Sequence, residues 1–313
     1  GCRAMPGGAH AKRGETLVKP AWFDYHAPRT LADALRLLHE AGPDGRVMAG
    51  GQSLVPMLNF RIARPAVIVD INRIEELGHL EATASELRVG ALVRHADLLR
   101  SDAVRAGWPL LEEATMQVAH MAIRNRGTVC GSICHNDPAA EQPSILLALG
   151  GTVEIASLAG RRELPAESFL TGMMATALEP GEMVVSVRYP RPAPGTSTAF
   201  VEFARRLGDF AIAGAASTLT LRNDICDAAR LIIVGMGKGP YRAREAEAVL
   251  TGRTIAGTNG AAAIAEAVQA VVRNVDPADD VHASAAYRRH LAGVMAARAL
   301  ETAMARNKGG SVG

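Results

Sequence analysis

The sequence predicts an α+β protein built from two small α/β units and a third unit in which strands precede helices. A helical pattern and two short apolar strands alternate between residues 30 and 70, which is typical of a small sheet with a helix packed on it. In the last third of the chain, three strand-like runs are followed by three helical runs. Between these regions, Pro190, Pro192 and Pro194 form a stiff connector, which we interpret as the main domain boundary.

The first α/β unit begins with a helix. Thr30 is its expected N-cap, Asp33 reaches back from the third helical position, and Gly42 ends it. An apolar strand at residues 47–49 follows, and a return strand at residues 66–69 completes the unit. We expect this unit to form a subdomain over residues 19–72.

The other two units follow from the same periodicities. The second has predicted strands at residues 86–91, 153–156 and 183–187 and predicted helices at 95–99, 109–119 and 144–149. The third has predicted strands at residues 201–204, 213–221 and 228–235 and predicted helices at 244–250, 259–275 and 284–306. We therefore expect a first domain over residues 19–190, with subdomains 19–72 and 73–190. A C-terminal domain with a three-stranded antiparallel sheet and helices should cover residues 195–306, and residues 1–18 should be a poorly ordered leader.

Composition excludes several classes of function. The 34 basic and 32 acidic residues leave a net charge of +2, which gives no electrostatic reason to expect a nucleic acid or membrane partner. Aromatic residues make up 4% of the chain, too few for a base-stacking platform. No apolar run reaches the roughly 18 residues needed for insertion into a membrane. Four cysteines in a chain of this length do not suggest a disulfide framework, and we expect a reducing, cytoplasmic compartment.

The run RNRGTVCGSICHNDPAAEQP, residues 124–143, concentrates the candidate binding residues. Gly127 and Gly131, beside Thr128 and Ser132, allow main-chain N–H groups to approach the oxygens of a polyphosphate. Glu141, about ten residues further on, is placed to accept hydrogen bonds from sugar hydroxyls. Together these features suggest a dinucleotide. Taken alone, the run is equally typical of a surface turn before a helix.

A second run, RVMAGGQSLVPMLNFRIARPAVIVDINRI at residues 46–74, favours the binding interpretation. Its first strand leads directly into Gly50, Gly51 and Ser53, and its second strand ends at Asp70. A strand, a glycine pair, a hydroxyl and a return strand form another possible anion cradle. Neither G-x-G-x-x-G nor G-x-x-x-x-G-K-[ST] occurs, so the usual nicotinamide fingerprint and the P-loop are excluded.

These motifs resemble those of a known family. AGGQS at residues 49–53 and TVCGS at 128–132, followed by DPAAE at 137–141, are similar to the two FAD-cradling loops of the medium subunits of molybdenum hydroxylases, of the carbon monoxide dehydrogenase and xanthine dehydrogenase type. The resemblance extends to IRNRGT, to EPGE at 179–182 and to RRLGDFAIAG at 205–214, and covers about residues 20–305. It implies a flavin fold of the vanillyl-alcohol oxidase type, with a smaller C-terminal domain that closes over the flavin.

The resemblance also implies a set of residues that bind FAD without a covalent link. These are Val47, Met48, Ala49, Gly50, Gly51, Gln52, Ser53, Leu54, Thr128, Val129, Cys130, Gly131, Ser132, Glu141, Leu178 and Phe210. Phe210 matches an aromatic residue that lies near the isoalloxazine ring in the family, although it could equally be an ordinary core side chain. Cys130 stands where the family has a glycine, and its Cβ could hold the backbone away from the pyrophosphate.

The implied function is electron transfer within a larger enzyme. In the family, a large subunit oxidises the substrate at a molybdopterin cofactor, a small subunit passes electrons through two [2Fe-2S] clusters, and FAD delivers them to an external acceptor. This sequence has no cluster cysteines and no molybdopterin segment, so both partner subunits are expected, in a dimer of heterotrimers. No hydrolytic motif occurs, and Cys130, Cys134 and His135 are too few ligands for a metal site.

Two other functions remain open from the sequence. A self-sufficient FAD oxidoreductase of the vanillyl-alcohol oxidase type would need its own substrate pocket with an acid or a base. A non-catalytic assembly subunit would have kept the fold and lost the flavin, and Cys130 in the glycine loop is the residue that favours it. The substrate of the complex is not predicted, because its pocket would lie on another chain.

Overall fold

The computed structural model describes residues 19–309. The expected leader at residues 1–18 lies outside this range. The described chain forms three packed units that follow one another along the sequence, each with its own sheet.

The first unit is a three-stranded parallel sheet in the order β1-β3-β2. Its elements are β1 (Asp24–His26), α1 (Leu31–Ala41), β2 (Gly45–Met48), α2 (Leu54–Asn59) and β3 (Val67–Asp70). The N-cap prediction for α1 is confirmed, since Thr30 Oγ1 accepts from the N–H of Asp33 at 3.1 Å. Gly42 follows the helix with a φ of 55°. The sequence did not predict β1, which has only three residues, or α2.

The second unit contains an antiparallel five-stranded sheet in the order β4-β5-β10-β6-β7. Its helices are α3 (His95–Arg100), α4 (Asp102–Gly107), α5 (Pro109–Gln117), α6 (Met121–Arg124), α7 (Val129–His135), α8 (Glu141–Ala148) and α9 (Ala166–Phe169). Its strands are β4 (Leu80–Ala82), β5 (Glu86–Gly90), β6 (Thr152–Ser157), β7 (Gly160–Pro165), β8 (Leu170–Gly172), β9 (Ala175–Thr176) and β10 (Met183–Pro190). Strands β8 and β9 pair separately as a small hairpin.

Two local predictions in the second unit were wrong. Residues 129–135 form a helix where the sequence indicated a loop, because Thr128 caps this helix by accepting from the N–H of Gly131 at 3.1 Å. Val129 and Ile133, one helical turn apart, are its buried face. Helix α8 begins three residues before the predicted start at residue 144. Pro143 falls within its first turn, where a missing N–H costs no hydrogen bond.

The C-terminal unit is an antiparallel sheet in the order β11-β12-β13-β14, followed by three helices. Its elements are β11 (Thr196–Phe203), β12 (Ala213–Arg222), β13 (Ile225–Val234), β14 (Tyr241–Arg242), α10 (Arg244–Leu250), α11 (Gly257–Asn274) and α12 (Ala285–Gly309). The three long strands and three helices were predicted, although β11 begins five residues before its predicted start at residue 201. The fourth strand was not, because two residues carry no detectable period.

The C-terminal sheet has a buried core on each of its faces. One face packs against the helices of its own unit. The other contributes Phe200, Ala216 and Ile232 to the core that fills the second unit. Glu113 of α5 joins the two units, since it accepts from the N–H of Phe200 at 3.0 Å and pairs with Arg306 at 2.5 Å. Within residues 19–309, no helix is both long and apolar enough to cross a membrane.

Candidate functional site

A cleft of about 810 Å³ lies where the first two units meet the loop that precedes β12. Both glycine loops line it. Its remaining walls come from the 178–184 segment, which contains the EPGE motif, and from residues 208–210 of the GDF motif. Four separate motifs of the sequence therefore converge on one cavity.

The first glycine loop joins β2 to α2 at the point where the two units touch. A Cβ built on Gly50 would lie 2.8 Å from the Cα of Gly127 and would clash with the carbonyl oxygen of Arg126. Glycine is therefore required at this position for the two loops to approach each other. Gly51 has a φ of 71°, a region that side chains other than Asn and Asp rarely occupy. The hydroxyl of Ser53 makes no capping hydrogen bond to α2, although Ser53 is the N-cap residue.

Arg94 and Asn72 hold the two loops in register. The side-chain amide of Asn72 donates to the carbonyl oxygen of Ala49 at 2.7 Å, and Arg94 donates to the Asn72 side-chain oxygen at 2.5 Å. Arg94 also donates to the carbonyl oxygen of Arg126, just before the second loop. A charged, hydrogen-bonded side chain thus ties both loops together and fixes the width of the cleft.

The second loop differs from the expectation at two residues. Cys130 is buried, and its thiol lies 3.6 Å from the carbonyl oxygen of Val89 in the core, so its Cβ does not project into the cleft. Val129 does not line the cleft, because its side chain is fully buried and its N–H donates to Val93 at 3.1 Å. Val129 therefore lies behind the lining of the cleft, and its contact with FAD stays a prediction. Gly131 remains a candidate, because only glycine fits at this position. A Cβ there would lie 2.6 Å from Thr128 Oγ1.

The other predicted residues are brought together. Fifteen of the sixteen line the cleft: Val47, Met48, Ala49, Gly50, Gly51, Gln52, Ser53, Leu54, Thr128, Cys130, Gly131, Ser132, Glu141, Leu178 and Phe210. The side-chain amide of Gln52 donates to the carbonyl oxygen of Gly50 at 3.1 Å and so supports the first loop from within. His135 and Asp137, which follow the second loop, also line the cleft.

Glu141 is the buried acid of the cleft. It is the first residue of α8 and is 8% exposed. Burial raises the pKa of its carboxyl group to about 7, and the nearby charge of Asp137 adds to the effect. Among residues 19–309, no other side chain hydrogen-bonds this carboxyl group. The carboxyl group accepts from the N–H of Glu141 itself, and its remaining acceptor capacity is available to a ligand in the cleft.

A second, half-buried acid, Glu202, lies behind Glu141. It shares one face of β11 with Phe200, which belongs to the core of the second unit. One of its carboxyl oxygens is buried without a hydrogen-bond partner among the described residues. Burial, together with the charge of the neighbouring Glu141, raises the pKa of Glu202 to about 8. The two acids come from different units, so they meet only in the folded chain.

We expect Glu202→Gln to stabilise the protein at alkaline pH. A raised folded-state pKa means that the acid favours folding while it is protonated, and this contribution is lost as pH rises from the unfolded value of 4.5 through about 8. At roughly 1.4 kcal/mol per pKa unit, the shift from 4.5 to about 8 corresponds to about 5 kcal/mol. Because Glu202 is only half-buried, solvent screens part of this, and the variant should gain about 1 to 3 kcal/mol in unfolding free energy near pH 9 and nothing near pH 4. Urea unfolding at the two pH values measures this. Equal stability of variant and wild type near pH 9 would contradict it, and Glu301→Gln on the exposed face of α12 is the control.

Phe210 lies at the edge of the cleft on the loop between β11 and β12. Its side chain is 71% exposed, so the alternative of an ordinary core phenylalanine is wrong. Gly208, two residues earlier, packs against the ring of His120 and the carbonyl oxygen of Ala119. Through this contact, the β11–β12 loop of the C-terminal unit packs against the second unit beside the cleft.

The sequence missed His95, the first residue of α3. It lines the cleft, is 3% exposed, and its Nδ1 has no hydrogen-bond partner among residues 19–309. Burial lowers its pKa to about 4, with contributions from the charges of Arg124 and Arg94, so the ring is neutral at neutral pH. A single histidine in a helical pattern carries no signal that could have identified it.

No metal site is evident within the described part of the chain, where no three His, Cys, Asp or Glu side chains are grouped to hold an ion. Cys130 and Cys134 are one helical turn apart on α7 and are free thiols. Burial raises the pKa of Cys134 to about 12, which keeps this thiol protonated.

The cleft and fold match known proteins over nearly the whole chain. Residues 21–192 match the family described as FAD binding domain in molybdopterin dehydrogenase, and residues 198–303 match the CO dehydrogenase flavoprotein C-terminal domain. The chain is 42% identical to the 6-hydroxypseudooxynicotine dehydrogenase complex subunit alpha of Paenarthrobacter nicotinovorans, over 92% of this chain and 97% of the relative. It is 35% identical to the carbon monoxide dehydrogenase medium chain of Afipia carboxidovorans, over 92% and 99%.

Solved structures show the same similarity. Carbon monoxide dehydrogenase from Hydrogenophaga pseudoflava, in a form that lacks the Mo-pyranopterin moiety, superposes with a TM-score of 0.88 at 36% identity. Quinoline 2-oxidoreductase from Pseudomonas putida 86 superposes with a TM-score of 0.86 at 36% identity. Each comparison covers 92% of this chain and 99% of the matched chain.

Proposed function

The chain belongs to the family of FAD-binding medium subunits of molybdenum hydroxylases, and we propose that it is the flavoprotein subunit of such an oxidoreductase. It carries electrons from the [2Fe-2S] clusters of a small partner subunit, through FAD, to an external acceptor. The observation that supports this most strongly is the convergence of both glycine loops, EPGE and GDF on a single cleft.

The residues present fit FAD. The cleft has a volume of about 810 Å³ and is lined by both glycine loops, which suits a ligand as large as a dinucleotide. Gly50 and Gly131 stand where a Cβ would meet neighbouring atoms, so the loops keep their backbone close together. Glu141 presents a buried carboxyl group that has no partner side chain among the described residues. This carboxyl group bonds the N–H of its own residue, and it can still accept a further hydrogen bond from a ligand hydroxyl.

The roles of the residues follow from their places. The loops at 49–53 and 128–132 would bind the pyrophosphate with backbone N–H groups and with the hydroxyls of Ser53 and Ser132. Glu141 would accept from ribose or ribityl hydroxyls, and Phe210 would cover one face of the isoalloxazine ring. FAD supplies the redox chemistry when it is bound, and the protein supplies its position and electrostatic surroundings.

The position of Cys130 weakens the case for one alternative. A non-catalytic assembly subunit was favoured by the extra Cβ of Cys130, but this residue, although it lines the cleft, is 2% exposed and directs its thiol to the carbonyl oxygen of Val89 in the core. A self-sufficient oxidase remains distinguishable by experiment, because its flavin would be reduced by an organic substrate without partners.

The partners are a small iron–sulfur subunit and a large molybdopterin-binding subunit, in a dimer of heterotrimers. Some of the relatives are named as the medium chain or the medium subunit of their enzymes. Such names imply a smaller and a larger partner subunit, which supports this assembly. We place the complex in the cytoplasm, and the free thiols of Cys130, Cys134 and Cys226 are consistent with a reducing compartment.

Reconstitution with FAD tests the proposal directly. The purified chain, stripped of any ligand, should bind one FAD per chain in equilibrium dialysis and should then show the absorbance of protein-bound oxidised flavin. Riboflavin, which lacks the pyrophosphate and adenosine, should bind far more weakly. A chain that folds and binds no FAD would refute the assignment.

We expect Glu141→Ala to weaken FAD binding by roughly 1.5 to 3 kcal/mol, the range for hydrogen bonds to a charged group. The substitution removes an acceptor and leaves both loops unchanged. Isothermal titration of the apoprotein with FAD measures the change in affinity. Glu113→Ala, which alters the domain contact and not the cleft, separates a local loss of hydrogen bonds from a general loss of packing. Unchanged FAD affinity in Glu141→Ala would contradict the role of Glu141.

A further inference from the structure

A second cavity of about 790 Å³ lies directly beside the FAD cleft. Asp137, Met174, Gly208, Asp209 and Phe210 line both cavities. The two spaces therefore meet at the GDF loop, and Phe210 stands between them. Any molecule in the second cavity would lie next to the part of the cleft that we assign to the isoalloxazine ring.

The walls of this cavity are firmly held. The N–H of Gly235 donates to the carbonyl oxygen of Pro138 at 2.9 Å, which joins the C-terminal unit to the loop after α7. Arg288 is 7% exposed and donates to the carbonyl oxygens of Ile212 at 2.6 Å and Gly235 at 3.1 Å. It also pairs with Asp280 at 2.6 Å. Hydrogen bonds and an ion pair therefore hold the walls of this cavity in place at the junction of the two units.

The charges of the cavity disfavour an anionic ligand. Five aspartates line it, against the three basic residues Arg205, Lys238 and Arg288. Two of the three basic side chains are paired with carboxylates, since Arg288 pairs with Asp280 and Lys238 pairs with Asp276 at 3.0 Å. Arg205 donates to the neutral carbonyl oxygen of His282 at 2.6 Å and keeps its charge. A dinucleotide such as NAD⁺ would bring two phosphates into a net negative site in which, among the described residues, only Arg205 has no carboxylate partner.

The uncharged surface of the cavity suits a flat apolar ring. Met173, Met174 and Met236 line it together with Ile212 and Phe210. Met173 and Met174, in the turn of the β8–β9 hairpin, are 62% and 53% exposed. Methionine side chains adapt to the shape of a ligand and make favourable contacts with aromatic rings. Phe210 offers a ring to stack against on the side that faces the cleft.

We propose that the second cavity binds the external electron acceptor and that this acceptor is a neutral quinone. The inference rests on the proposed function, because it takes the neighbouring cleft as the FAD site. Oxidation of the reduced flavin by a quinone transfers two electrons and two protons, so one quinol forms for each oxidised FAD regenerated. No phosphate has to be bound at any stage, which agrees with the charge of the cavity.

Binding can be measured without turnover by using the fully oxidised complex, assembled with its partner subunits, and ubiquinone-1 as the probe. Isothermal titration should show about one ubiquinone-1 per FAD and no binding of NAD⁺. Met173→Lys places a charge in the second cavity, and Met173 does not line the FAD cleft. This variant should bind ubiquinone-1 about tenfold more weakly and retain its full FAD content. Met116→Lys is the matched control, since Met116 is 52% exposed on α5 and lines neither cavity.

The outcomes separate this inference from the proposed function. Equal ubiquinone-1 affinity in Met173→Lys and wild type would overturn the assignment of the cavity while leaving FAD binding intact. Binding of NAD⁺ in place of ubiquinone-1 would overturn the class of acceptor. Loss of FAD from Met173→Lys would show that the two cavities are not separate sites. A wild-type complex that lacks FAD would instead refute the proposed function.

Discussion

Gly51→Asp should lower the affinity for FAD by at least about 100-fold, or about 2.7 kcal/mol, while the chain stays folded. Gly51 lines the cleft on the first glycine loop, where we place the pyrophosphate. A carboxylate there would repel the phosphates at short range in a partly dehydrated site. The fold tolerates the change, because a Cβ at this position would meet only side chains, that of Val55 at 3.2 Å and that of Met48 at 3.8 Å, and a shift of a few tenths of an ångström by Val55 relieves the closer contact. Asp is also among the residues that adopt the φ of 71° with modest strain.

Gly51→Asn is the matched control for this prediction. It has the same size and a similar tolerance of positive φ, but it carries no charge. Fluorescence titration of each apoprotein with FAD, together with thermal unfolding of each variant, separates repulsion from steric and folding effects. If Gly51→Asp and Gly51→Asn bind FAD equally, charge repulsion is not the cause. If Gly51→Asp is isolated with a full complement of FAD, the pyrophosphate does not lie at this loop.

The fold was largely predictable because its longest elements have clear periods. Helix α1 has its N-cap, its apolar face and its terminal glycine in one short stretch, and the structure begins the helix one residue after Thr30. Helix α10 was predicted at its observed bounds. The elements that were missed are short or partnered at a distance. Strand β1 has three exposed residues and exists because it pairs with β3, more than forty residues away.

The site was predictable where glycine and small residues occur in runs, and not elsewhere. The two loops were found from their composition, since close approach of the backbone requires those residue types. The direction of the Cys130 side chain could not be predicted, because it depends on α7, which the sequence presented as a loop. The sequence analysis did not identify His95, Asn72 or Glu202 as residues of the site, for a different reason. Each acquires its role only through neighbours that are distant in sequence and adjacent in the fold.

The flavin of this chain should be reduced only when its partner subunits are present. The residues of the cleft offer positions for FAD, but the redox centres that would accept electrons from a substrate are absent from the sequence. Electron transfer to the flavin therefore needs a cluster held close to it by another chain. The first unit exposes large apolar side chains that suit such a partner, among them Trp22 at 81% and Phe60 and Ile62 at 73%. An obligate interface of this kind buries roughly 2,000 Å² or more in total.

The experiment compares the isolated FAD-loaded chain with the reassembled complex, in the absence of oxygen and with candidate N-heterocyclic and aldehyde substrates. The flavin absorbance of the isolated chain should persist with every substrate, and dithionite should bleach it, which shows that the flavin is competent. Addition of the iron–sulfur and molybdenum subunits should then allow substrate to bleach it. Addition of the iron–sulfur subunit alone should not, because the centre that oxidises the substrate is still missing. Bleaching of the isolated chain by an organic substrate would instead establish a self-sufficient oxidase, since only a substrate pocket beside the flavin could deliver those electrons without a partner.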